Sequence, residues 1–382
     1  MNGIIHSVNQ DSLVNVVKIL SGEIPINTNN GSIKIMSRHS DYVGNEYAFQ
    51  FLTNKLKSYN LSVTEQSFNS SGKNILAIQY GSEKDKYVII SAHYDCCGNY
   101  LCQPDSSSIA PGADDNASGV ATTLECARIV SKLSSKYSII YAFWDSEEQG
   151  WLGSKYYASL ARKENKNIIA VINLDMIGWD NNNDGQIEIH EKDSTYNSNI
   201  TQIMKDIDKE YFIGLDPIVF KPGTIASDHY SFWLNNYDAI LLIEGYYTHD
   251  FNKYYHSKQD TYDKFNLNFY TKASKLAIAT VAAIAEIKNI EMHLPQDYVL
   301  QQNYPNPVNT QAMIEYSLPI DGYVKMDLYN VLGQKLITIV SEYKYAGTHR
   351  VELVTQSLSS GIYFYKMSAN NFIQTKKIVV IK

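Results

Sequence analysis

Six residues of this chain are of the types that bind paired metal ions and move protons in hydrolases. They are two histidines and four acids, namely His93, His256, Asp115, Glu147, Glu148 and Asp175. Two imidazoles and three carboxylates form a ligand set that suits two neighbouring zinc ions in water. The adjacent acids allow one carboxylate to bind metal while the other accepts a proton. The residue types and their order therefore predict a hydrolytic site with two zinc ions.

The segments that precede these residues predict how they are positioned. Four short segments are almost continuously apolar and rich in Ile or Val, at 87–91, 138–143, 168–173 and 239–244. This composition is typical of strands that are buried on both faces. Segments with helical character lie between them, for example 118–133. Strands that alternate with helices predict an α/β fold in which a mostly parallel central sheet is flanked by helices.

Candidate site residues follow three of the predicted strands. His93 follows the first strand, Glu147 and Glu148 follow the second, and Asp175 follows the third. In open α/β sheets, ligands bind in the crevice at the carboxyl ends of the strands. We therefore expect three strand ends to bring potential metal ligands to one edge of the sheet.

Length and charge restrict the classes of protein to which this chain can belong. It has 382 residues and a formal net charge of -7. A chain of this length exceeds one ordinary core, which predicts two domains. The negative charge and the lack of a Lys/Arg block argue against a general nucleic-acid binder. No transmembrane segment is expected, because the best candidate, 276–287, is broken by Thr280 and Glu286 and is typical of a buried helix.

A change of pattern marks a second domain. Residues 293–311 contain prolines, several Asn and Gln and no periodicity, which predicts a linker and the start of a new domain. Beyond them, short alternating segments are separated by turn residues such as Gly333 and Gly361. This pattern predicts a small all-β sandwich. The expected divisions are therefore 1–292, 293–311 and 312–382.

Five motifs carry a resemblance to a known family. They are SAHYD, GADDNASG, WDSEEQG, NLDMIG and YYHSKQDT, in this order, within roughly residues 5–290. Together they resemble the M28 family of zinc aminopeptidases, in particular its bacterial leucyl-aminopeptidase-like group. The resemblance implies a zinc-exopeptidase-like fold and hydrolysis of N-terminal residues from peptides with a free N-terminus.

The resemblance also implies how two zinc ions are shared. One zinc would bind His93 and Asp175, and the other would bind Glu148 and His256. Asp115 would bridge them, because a carboxylate can offer one oxygen to each cation and an anion offsets their repulsion. A metal-bridging water would then be acidified and would attack the scissile carbonyl. Members of the family often have a cis peptide after the bridging aspartate.

Further roles are implied for residues beside the ligands. Glu147 would be the general base, and Asp95 would orient the imidazole of His93. Tyr255 matches a position where some relatives stabilise the oxyanion, and it is also compatible with an ordinary aromatic residue. Asp228, in a Ser-Asp-His segment, would bind the free amine of the substrate or cap the following helix.

Two positions leave alternatives open within the resemblance. Asp114 is the rival of Asp115 for the bridging role, and otherwise it would form hydrogen bonds within its loop. Ala226 stands where some relatives have an arginine before the Ser-Asp-His segment. This departure weakens the assignment of Asp228 to amine recognition.

The C-terminal domain resembles a second family. The motifs QNYPNP, LYNVLGQKL, AGTH and LSSGIYFYKM and the basic end KKIVVIK resemble a type A sorting domain of the type IX secretion system, over roughly residues 298–382. The resemblance implies the secretion machinery as a partner and export across the outer membrane, followed by release or attachment to the cell surface. The alternative is a generic β-sandwich adhesion module. The N-terminal MNGIIHSVNQ lacks signal-peptide features, so we expect a leader that was removed or is missing.

A second metal signal lies in residues 180–191. The sequence DNNNDGQIEIHE fits the calcium-loop pattern D-x-N-x-D-G-x5-E, with Asp180, Asn182, Asp184 and Glu191 as candidate ligands. Alternate oxygen ligands around a glycine turn are what calcium requires. The alternative is a polar loop without a metal ion.

Three of the four cysteines cluster after the first strand. Cys102 could form a disulfide with Cys96 or with Cys97 if the protein is exported, and free thiols in a loop are the alternative. The spacing does not match a structural zinc site. Cys126, in a helical segment, is expected to be a small core residue.

The sequence therefore predicts a secreted, two-zinc aminopeptidase with a C-terminal export domain. A cleft that carries carboxylates beside its metal ions suits the ammonium group of a peptide N-terminus. The alternatives are glutaminyl cyclase chemistry on a similar fold, a carboxypeptidase or an amino-sugar hydrolase. A non-catalytic or adhesive surface protein is the alternative outside enzymes, and it is disfavoured because no metal ligand of the motif set is lost.

Overall fold

The chain forms two compact units, Met1–Ile290 and Glu291–Lys382. The predicted domain boundary after residue 292 falls outside the residues that the structure describes. The computed structural model describes residues 1–28, 31–99, 101–102, 109–193, 199–287, 297–320, 322–344 and 347–382.

The first unit alternates strands with helices. Its helices are α1 (Asn2–Ser7), α2 (Gln10–Leu20), α3 (Val43–Ser58), α4 (Gly119–Val130), α5 (Leu152–Lys163), α6 (Asn199–Tyr211), α7 (His229–Leu234) and α8 (Leu267–Ile284). Its strands are β1 (Ile26–Thr28), β2 (Gly31–Ile33), β3 (Ser62–Ser67), β4 (Lys73–Gln79), β5 (Glu83–His93), β6 (Tyr137–Trp144), β7 (Asn167–Leu174), β8 (Gln186–His190), β9 (Asp216–Phe220) and β10 (Ala239–Ile243). Two short helical turns, Ala113–Ser118 and Tyr262–Lys264, complete the unit.

Eight of these strands form one sheet in the order β3-β4-β6-β5-β7-β10-β8-β9. The four central strands, β6, β5, β7 and β10, are mutually parallel. They contain the four apolar segments, so the predicted mostly parallel central sheet is confirmed. The sequence analysis missed the outer strands β3, β4, β8 and β9, of which β3 and β9 form the edges and are more polar and more exposed.

Helices cover both faces of this sheet. Val88 and Ile90 of β5 pack in a core that also contains residues of α2, α4 and α8. The intervening Ile89 packs on the other face, in a second core with residues of α5 and α7. Successive side chains of a strand point to opposite faces, so a strand between two helical layers must be apolar at nearly every position. This requirement explains why the central strands are recognisable from sequence.

The predicted calcium loop is wrong in its last ligand. Strand β8 lies between Asp184 and Glu191, and a strand rises about 3.3 Å per residue. Glu191 therefore lies at the far end of the strand, where its carboxylate pairs with Lys221. A calcium loop must instead bring its twelfth residue back to the first ligands. Asn182 and Asp184 form a polar turn, in which the Asp184 backbone N–H donates to the Asn182 side chain at 3.0 Å.

The second unit is an all-β sandwich, as predicted. Its strands are β11 (Val299–Leu300), β12 (Gln311–Leu318), β13 (Gly322–Tyr329), β14 (Lys335–Lys344), β15 (Gly347–Val354), β16 (Gly361–Ala369) and β17 (Phe372–Val380). They form two antiparallel sheets, β11-β12-β15 and β14-β13-β16-β17, around a shared apolar core. In the described parts of the chain, no helix has the length and apolar character needed to cross a membrane.

Candidate metal centre

The carboxyl ends of the central strands carry the predicted ligands. His93 is the last residue of β5, and Asp175 directly follows β7. The pair Glu147 and Glu148 follows β6 after a turn of two residues. Neighbouring parallel strands end at the same edge of the sheet, so these side chains meet there. His93, Glu147 and Glu148 each offer a ligand atom within 4.8 Å of the others, and so do His93, Asp115 and Asp175.

Asp115 lies between two histidines. One of its carboxylate oxygens is 3.3 Å from Nε2 of His93, and the other is 3.2 Å from Nε2 of His256. The outer ligands complete two groups, because Asp175 Oδ1 is 3.3 Å from His93 Nε2 and Glu148 Oε2 is 2.9 Å from His256 Nε2. The peptide between Asp115 and the following Asn116 is cis, as the resemblance implied.

Asp260 holds the loop that carries Asp115. The carboxylate of Asp260 accepts the backbone N–H of Asp114 at 3.0 Å and that of Asp115 at 3.0 Å. The Asp114 side chain points elsewhere and accepts hydrogen bonds from Gly178 N–H and Asn252. The structure therefore brings Asp115, and not its rival Asp114, to the two histidines. Asp260 lies within the motif YYHSKQDT, whose sequence gave no indication of this role.

Arg38 also stabilises the loop that carries Asp115, through hydrogen bonds to the residues before it. Its guanidinium is fully buried and donates hydrogen bonds to the backbone carbonyls of Leu20, Tyr94, Pro111 and Gly112 at 2.7–2.8 Å. Gly112 has φ +50, and a Cβ there would lie 2.4 Å from a backbone oxygen, so glycine is required. No motif surrounds Arg38 in the sequence, which explains why it was missed.

Asp95 positions the two adjacent acids. Its carboxylate accepts the backbone N–H groups of Glu147 at 3.1 Å and Glu148 at 3.2 Å. One of its oxygens also lies 3.5 Å from Nδ1 of His93, which is consistent with the expected support of that imidazole. Asp95 therefore connects the end of β5 with the loop after β6, a role that the sequence did not indicate.

The site concentrates negative charge in a buried place. Burial raises the pKa of Glu148 to about 7 and that of Glu147 well above its ordinary value. Burial acts in the same sense on Asp115, but the imidazoles of His256 and His93 outweigh it and lower the pKa of this carboxyl. Among the residues that the structure describes, these acids have no Lys or Arg within ion-pair distance.

The nearby negative charge raises the pKa of both histidines. Burial would lower the pKa of His93, but the neighbouring carboxylates, first of all Asp175, raise it well above its usual range. Hydrogen bonds with Asp115 and Glu148 likewise raise the pKa of His256 to about 10, against the effect of burial. Both shifts have the same cause, which is that the surrounding carboxylates favour positive charge at this place. A buried group of imidazole and carboxylate donors, with no Lys or Arg beside it in the described part of the chain, fits zinc.

Asp175 is held by a serine that the sequence analysis did not single out. Ser227 Oγ donates to Asp175 Oδ2 at 2.7 Å. Asn173 donates to Ser227 Oγ at 2.9 Å and accepts a hydrogen bond from Ser91 Oγ at 2.8 Å. This buried chain of hydrogen bonds runs from β5 through β7 to the ligand. A supporting hydrogen bond of this kind orients a metal-binding carboxylate.

The two candidate substrate-binding residues, Asp228 and Tyr255, have different surroundings. Asp228 precedes α7 but does not cap it with its side chain, and the described residue that favours its charged form by a side-chain hydrogen bond is Ser154. Burial raises the pKa of Asp228 to about 7, although His93 favours its charged form. The ring of Tyr255 stacks on that of His256, with 3.7 Å between the ring centroids.

The cysteine prediction is resolved by the structure. A disulfide joins Cys97 and Cys102, one of the two predicted pairings, whereas Cys96 and Cys126 are buried free thiols. The Cys102 sulfur lies 3.4 Å from Glu148 Oε2 and 3.5 Å from Nδ1 of His256. The disulfide therefore borders the candidate metal centre.

Comparison with known sequences agrees with this geometry. A sequence profile for peptidase family M28 matches residues 74–281, which are more than half of the chain. A profile for a secretion system C-terminal sorting domain matches residues 302–382. This second match indicates export by type IX secretion.

Two curated proteins illustrate the relatives. A probable zinc metalloprotease of Pyrenophora tritici-repentis is 39% identical over 117 residues, which cover 30% of this chain and 26% of that protein. Leucine aminopeptidase 1 of Ajellomyces dermatitidis is 26% identical over 215 residues, which cover 53% of this chain and 54% of that protein. The chain thus spans about half or less of the length of these relatives.

Two solved structures share the fold. The Legionella pneumophila LapA aminopeptidase superposes with a TM-score of 0.62 at 20% identity and covers 75% of each chain. A Bacteroides thetaiotaomicron glutaminyl cyclase bound to N-acetylhistamine superposes with a TM-score of 0.59 at 21% identity, over 72% of this chain and 97% of that chain. The profile covers more than half of the sequence and the fold agrees with it, so the chain belongs to peptidase family M28.

Proposed function

We propose that this protein is an exported two-zinc aminopeptidase that releases single residues from the N-termini of peptides. The observation that carries the proposal is the position of Asp115, which directs one carboxylate oxygen to His93 and the other to His256. One carboxylate between two separate nitrogen donors is the arrangement that a bridging ligand needs. The family and the zinc metalloprotease among the relatives support a zinc-dependent peptidase.

Five residues would hold the two zinc ions. His93 and Asp175 would bind one ion, Glu148 and His256 the other, and Asp115 both. When bound, the zinc ions would polarise the scissile carbonyl and acidify the attacking water.

Glu147 would move the protons of the reaction. It is buried and lies beside His93 and Glu148, with a carboxylate oxygen within 4.8 Å of their ligand atoms. Burial raises its pKa, so its carboxylate is a better proton acceptor than an exposed glutamate. Glu147 would take a proton from the attacking water and then donate it to the leaving amine. The hydrogen bond from its backbone N–H to Asp95 keeps it in place during both transfers.

Asp228 and Tyr255 would recognise the substrate. Asp228 is a buried carboxylate without a Lys or Arg ion-pair partner among the described residues, and an ammonium group would compensate its charge. Burial and the nearby acids raise the pKa of Tyr255, so its hydroxyl keeps its proton and can donate to the developing oxyanion. These two contacts would favour peptides with a free N-terminus.

The C-terminal unit would direct the enzyme out of the cell. The match of residues 302–382 to a secretion system C-terminal sorting domain supports the type IX secretion machinery as the proposed partner. We propose that the catalytic unit acts on peptides outside the outer membrane, either released or attached to the surface. Deletion of residues 298–382 should leave peptidase activity intact in purified protein and block export.

The second candidate function is glutaminyl cyclisation. The observation in its favour is the glutaminyl cyclase among the solved structures of this fold. In that reaction the N-terminal amine attacks the side-chain amide of its own glutamine, and ammonia leaves. Hydrolysis is preferred because the chain retains both histidines, the bridging carboxylate and the adjacent acid pair.

Hydrolysis of aminoacyl anilides tests the proposal. The zinc-loaded protein should release the anilide product from substrates with a free amine and should not cleave the same substrates after N-acetylation. Zinc content, measured on the same sample, should be two per chain. Glutaminyl peptides in the panel separate the candidates, because a cyclase yields pyroglutamyl peptide and ammonia without peptide cleavage. Cleavage of acetylated and free substrates at equal rates would contradict the proposal.

A further inference from the structure

A second group of potential metal ligands overlaps the candidate metal centre on its outer side. Cys97, Cys102, Glu148 and His256 each offer one ligand atom, and these atoms all lie within 4.8 Å of one another. The sulfur of Cys102 is nearest, at 3.4 Å from Glu148 and 3.5 Å from His256. Glu148 and His256 therefore belong to two different ligand sets, one with Asp115 and one with the two sulfurs.

The redox state of the cysteines decides which set can bind zinc. In the disulfide, neither sulfur carries the thiolate charge that makes cysteine a zinc ligand. Glu148, His256 and Asp115 are then the protein donors, and three donors leave a position for water or substrate. After reduction, two thiolates with Glu148 and His256 give four protein donors. Four-coordinate sites of this kind are closed and are typical of structural zinc.

We infer that the reduced chain holds zinc in a closed site formed by Cys97, Cys102, Glu148 and His256, and that disulfide formation opens this site for catalysis. This inference rests on the proposed two-zinc function, because it concerns the ion that Glu148 and His256 would share. The four ligand atoms already lie within 4.8 Å of one another. A zinc–sulfur bond is about 2.3 Å long, so the side chains need to move only a short distance to surround one zinc ion.

The opening step is ordinary thiol–disulfide exchange. The thiolate of one cysteine attacks a small-molecule or protein disulfide and releases one thiol, and the second cysteine then displaces the other thiol. The two electrons of the cysteine thiolates end on the two released thiols, which take their two protons from solvent. Cytosolic thiols stay reduced and exported proteins meet oxidising conditions, so the site would be closed where the chain is made and open after export.

The other two cysteines do not compete for this metal. Cys96 is fully buried, where its thiol donates to the carbonyl of Ala110 and its sulfur accepts the backbone N–H of Arg38. Cys126 is fully buried inside α4. Burial raises the pKa of the Cys96 thiol to about 11, which opposes thiolate formation there.

Cobalt substitution tests the inference without relying on activity. The full-length protein is loaded with Co²⁺ in its disulfide form, and its near-ultraviolet spectrum is recorded before and after reduction with a phosphine, which does not bind metal as a thiol would. Reduction should produce thiolate-to-cobalt charge-transfer absorption. It should also slow release of one metal equivalent to a chelator at least tenfold. The single variants Cys97→Ser and Cys102→Ser should each show about half of the absorption, because one thiolate remains.

Two further samples keep the test decisive. The double variant C97S/C102S should show no charge-transfer absorption under either condition, and Cys126→Ala should respond to reduction as the unaltered chain does. A cobalt-loaded, reduced protein without charge-transfer absorption would overturn the inference, and so would absorption that persists in the double variant. Failure of the proposed function would look different, because the oxidised, zinc-loaded enzyme would then not cleave free-amine anilides.

Discussion

The two halves of the candidate metal centre are built differently. His93 and Asp175 lie at the ends of β5 and β7, and both are buried. The Asp175 side chain accepts a hydrogen bond from Ser227. The pairing of β5 with β7 fixes the backbone that leads to His93 and to Asp175. Glu148 and His256 belong to loops outside the helices and strands, although their side chains are also buried. One oxygen of Glu148 has no hydrogen-bond partner in the described structure, and Nδ1 of His256 has the Cys102 sulfur as a neighbour.

From this difference we expect one half to be ordered before a metal ion binds and the other to adjust on binding. His256 has φ +51, a conformation that few residues other than glycine adopt, so its loop must be stabilised by contacts such as the stacking of Tyr255. We call the pair His93 and Asp175 the strand half and the pair Glu148 and His256 the loop half. The strand half is expected to bind its ion more tightly, because less ordering is needed on binding.

The largest effect is expected from Glu147, which lies between the halves without belonging to either ligand pair. Glu147→Gln should lower kcat by about 10²–10⁴-fold, because the amide cannot accept the proton of the attacking water. Zinc content should stay at two per chain. Glu148→Gln is the matched control, since the neighbouring change should lose the ion of the loop half. Full activity of Glu147→Gln would contradict the assigned mechanism.

Removal of one ligand from each half tests whether the two halves differ in how tightly they bind zinc. His256→Ala should retain one zinc ion per chain after dialysis, whereas His93→Ala should retain less than one, because the better organised half is lost. In the unaltered protein, a chelator should remove the two ions in separate steps. Zinc released in a single step, or equal retention by the two variants, would show that the halves do not differ.

A smaller effect tests the support of the strand half. Ser227→Ala removes the hydrogen bond to Asp175 and should weaken binding of the tighter zinc ion by about 10–100-fold, as changes of supporting partners typically do. Ser91→Ala acts one step further along the same hydrogen-bond chain and should have less effect. Calorimetric titration of metal-free protein measures both affinities. An equal or larger loss in Ser91→Ala would argue against transmission through Ser227.

The smallest effect concerns His229, which follows Ser227 by two residues, and its contribution to the pH dependence of the free energy of unfolding. His229 is buried, bonds to the Thr224 carbonyl at 2.8 Å, and has its pKa lowered by burial to about 3. The unfolded chain binds this proton below about pH 6.5, whereas the folded chain binds it only near pH 3. The free energy of unfolding should therefore fall by about 1.4 kcal/mol per pH unit through this group as the pH drops from about 6 to 4.

His229→Gln tests this contribution, because its side-chain amide can still donate to Thr224 but does not titrate. Urea unfolding of metal-free protein at several pH values should give a shallower pH dependence for the variant. The difference between the two proteins isolates His229, since their carboxylates are the same. Parallel pH profiles would show that His229 does not contribute.

The sequence predicted those parts of the molecule that local patterns encode. The four central strands are apolar at almost every position because both of their faces are covered, and the ligands that directly follow them could be located from the motifs. Edge strand β3 is mostly polar, and β8 was assigned to a calcium loop because residues 180–191 fit the pattern D-x-N-x-D-G-x5-E. A run of polar residues does not distinguish an exposed strand such as β3 from a loop, and the matching calcium-loop pattern concealed β8, which is buried.

The supporting contacts of the site could not be predicted, because they join distant positions. Asp260 binds the backbone of Asp114 across 146 residues, and Arg38 reaches Gly112 across 74. Arg38 lies outside any motif and carries no signal about its partners, and the motif that contains Asp260 does not indicate which backbone groups this carboxylate binds. The disulfide was predicted only as one of two pairings, since Cys96 and Cys97 are adjacent and only the fold directs their side chains to different places.

The buried guanidinium of Arg38 has a consequence for how the catalytic module is delimited. Arg38 binds carbonyls from the end of α2, from the residue after His93 and from the loop before Asp115, yet it precedes the recognised profile, which begins at residue 74. A gene fragment trimmed to that profile would encode every proposed ligand and still leave these carbonyls without their common donor. The smallest portable unit of this enzyme therefore extends well upstream of its recognisable sequence, and libraries of chimeras or minimised variants should place their N-terminal junction before α1.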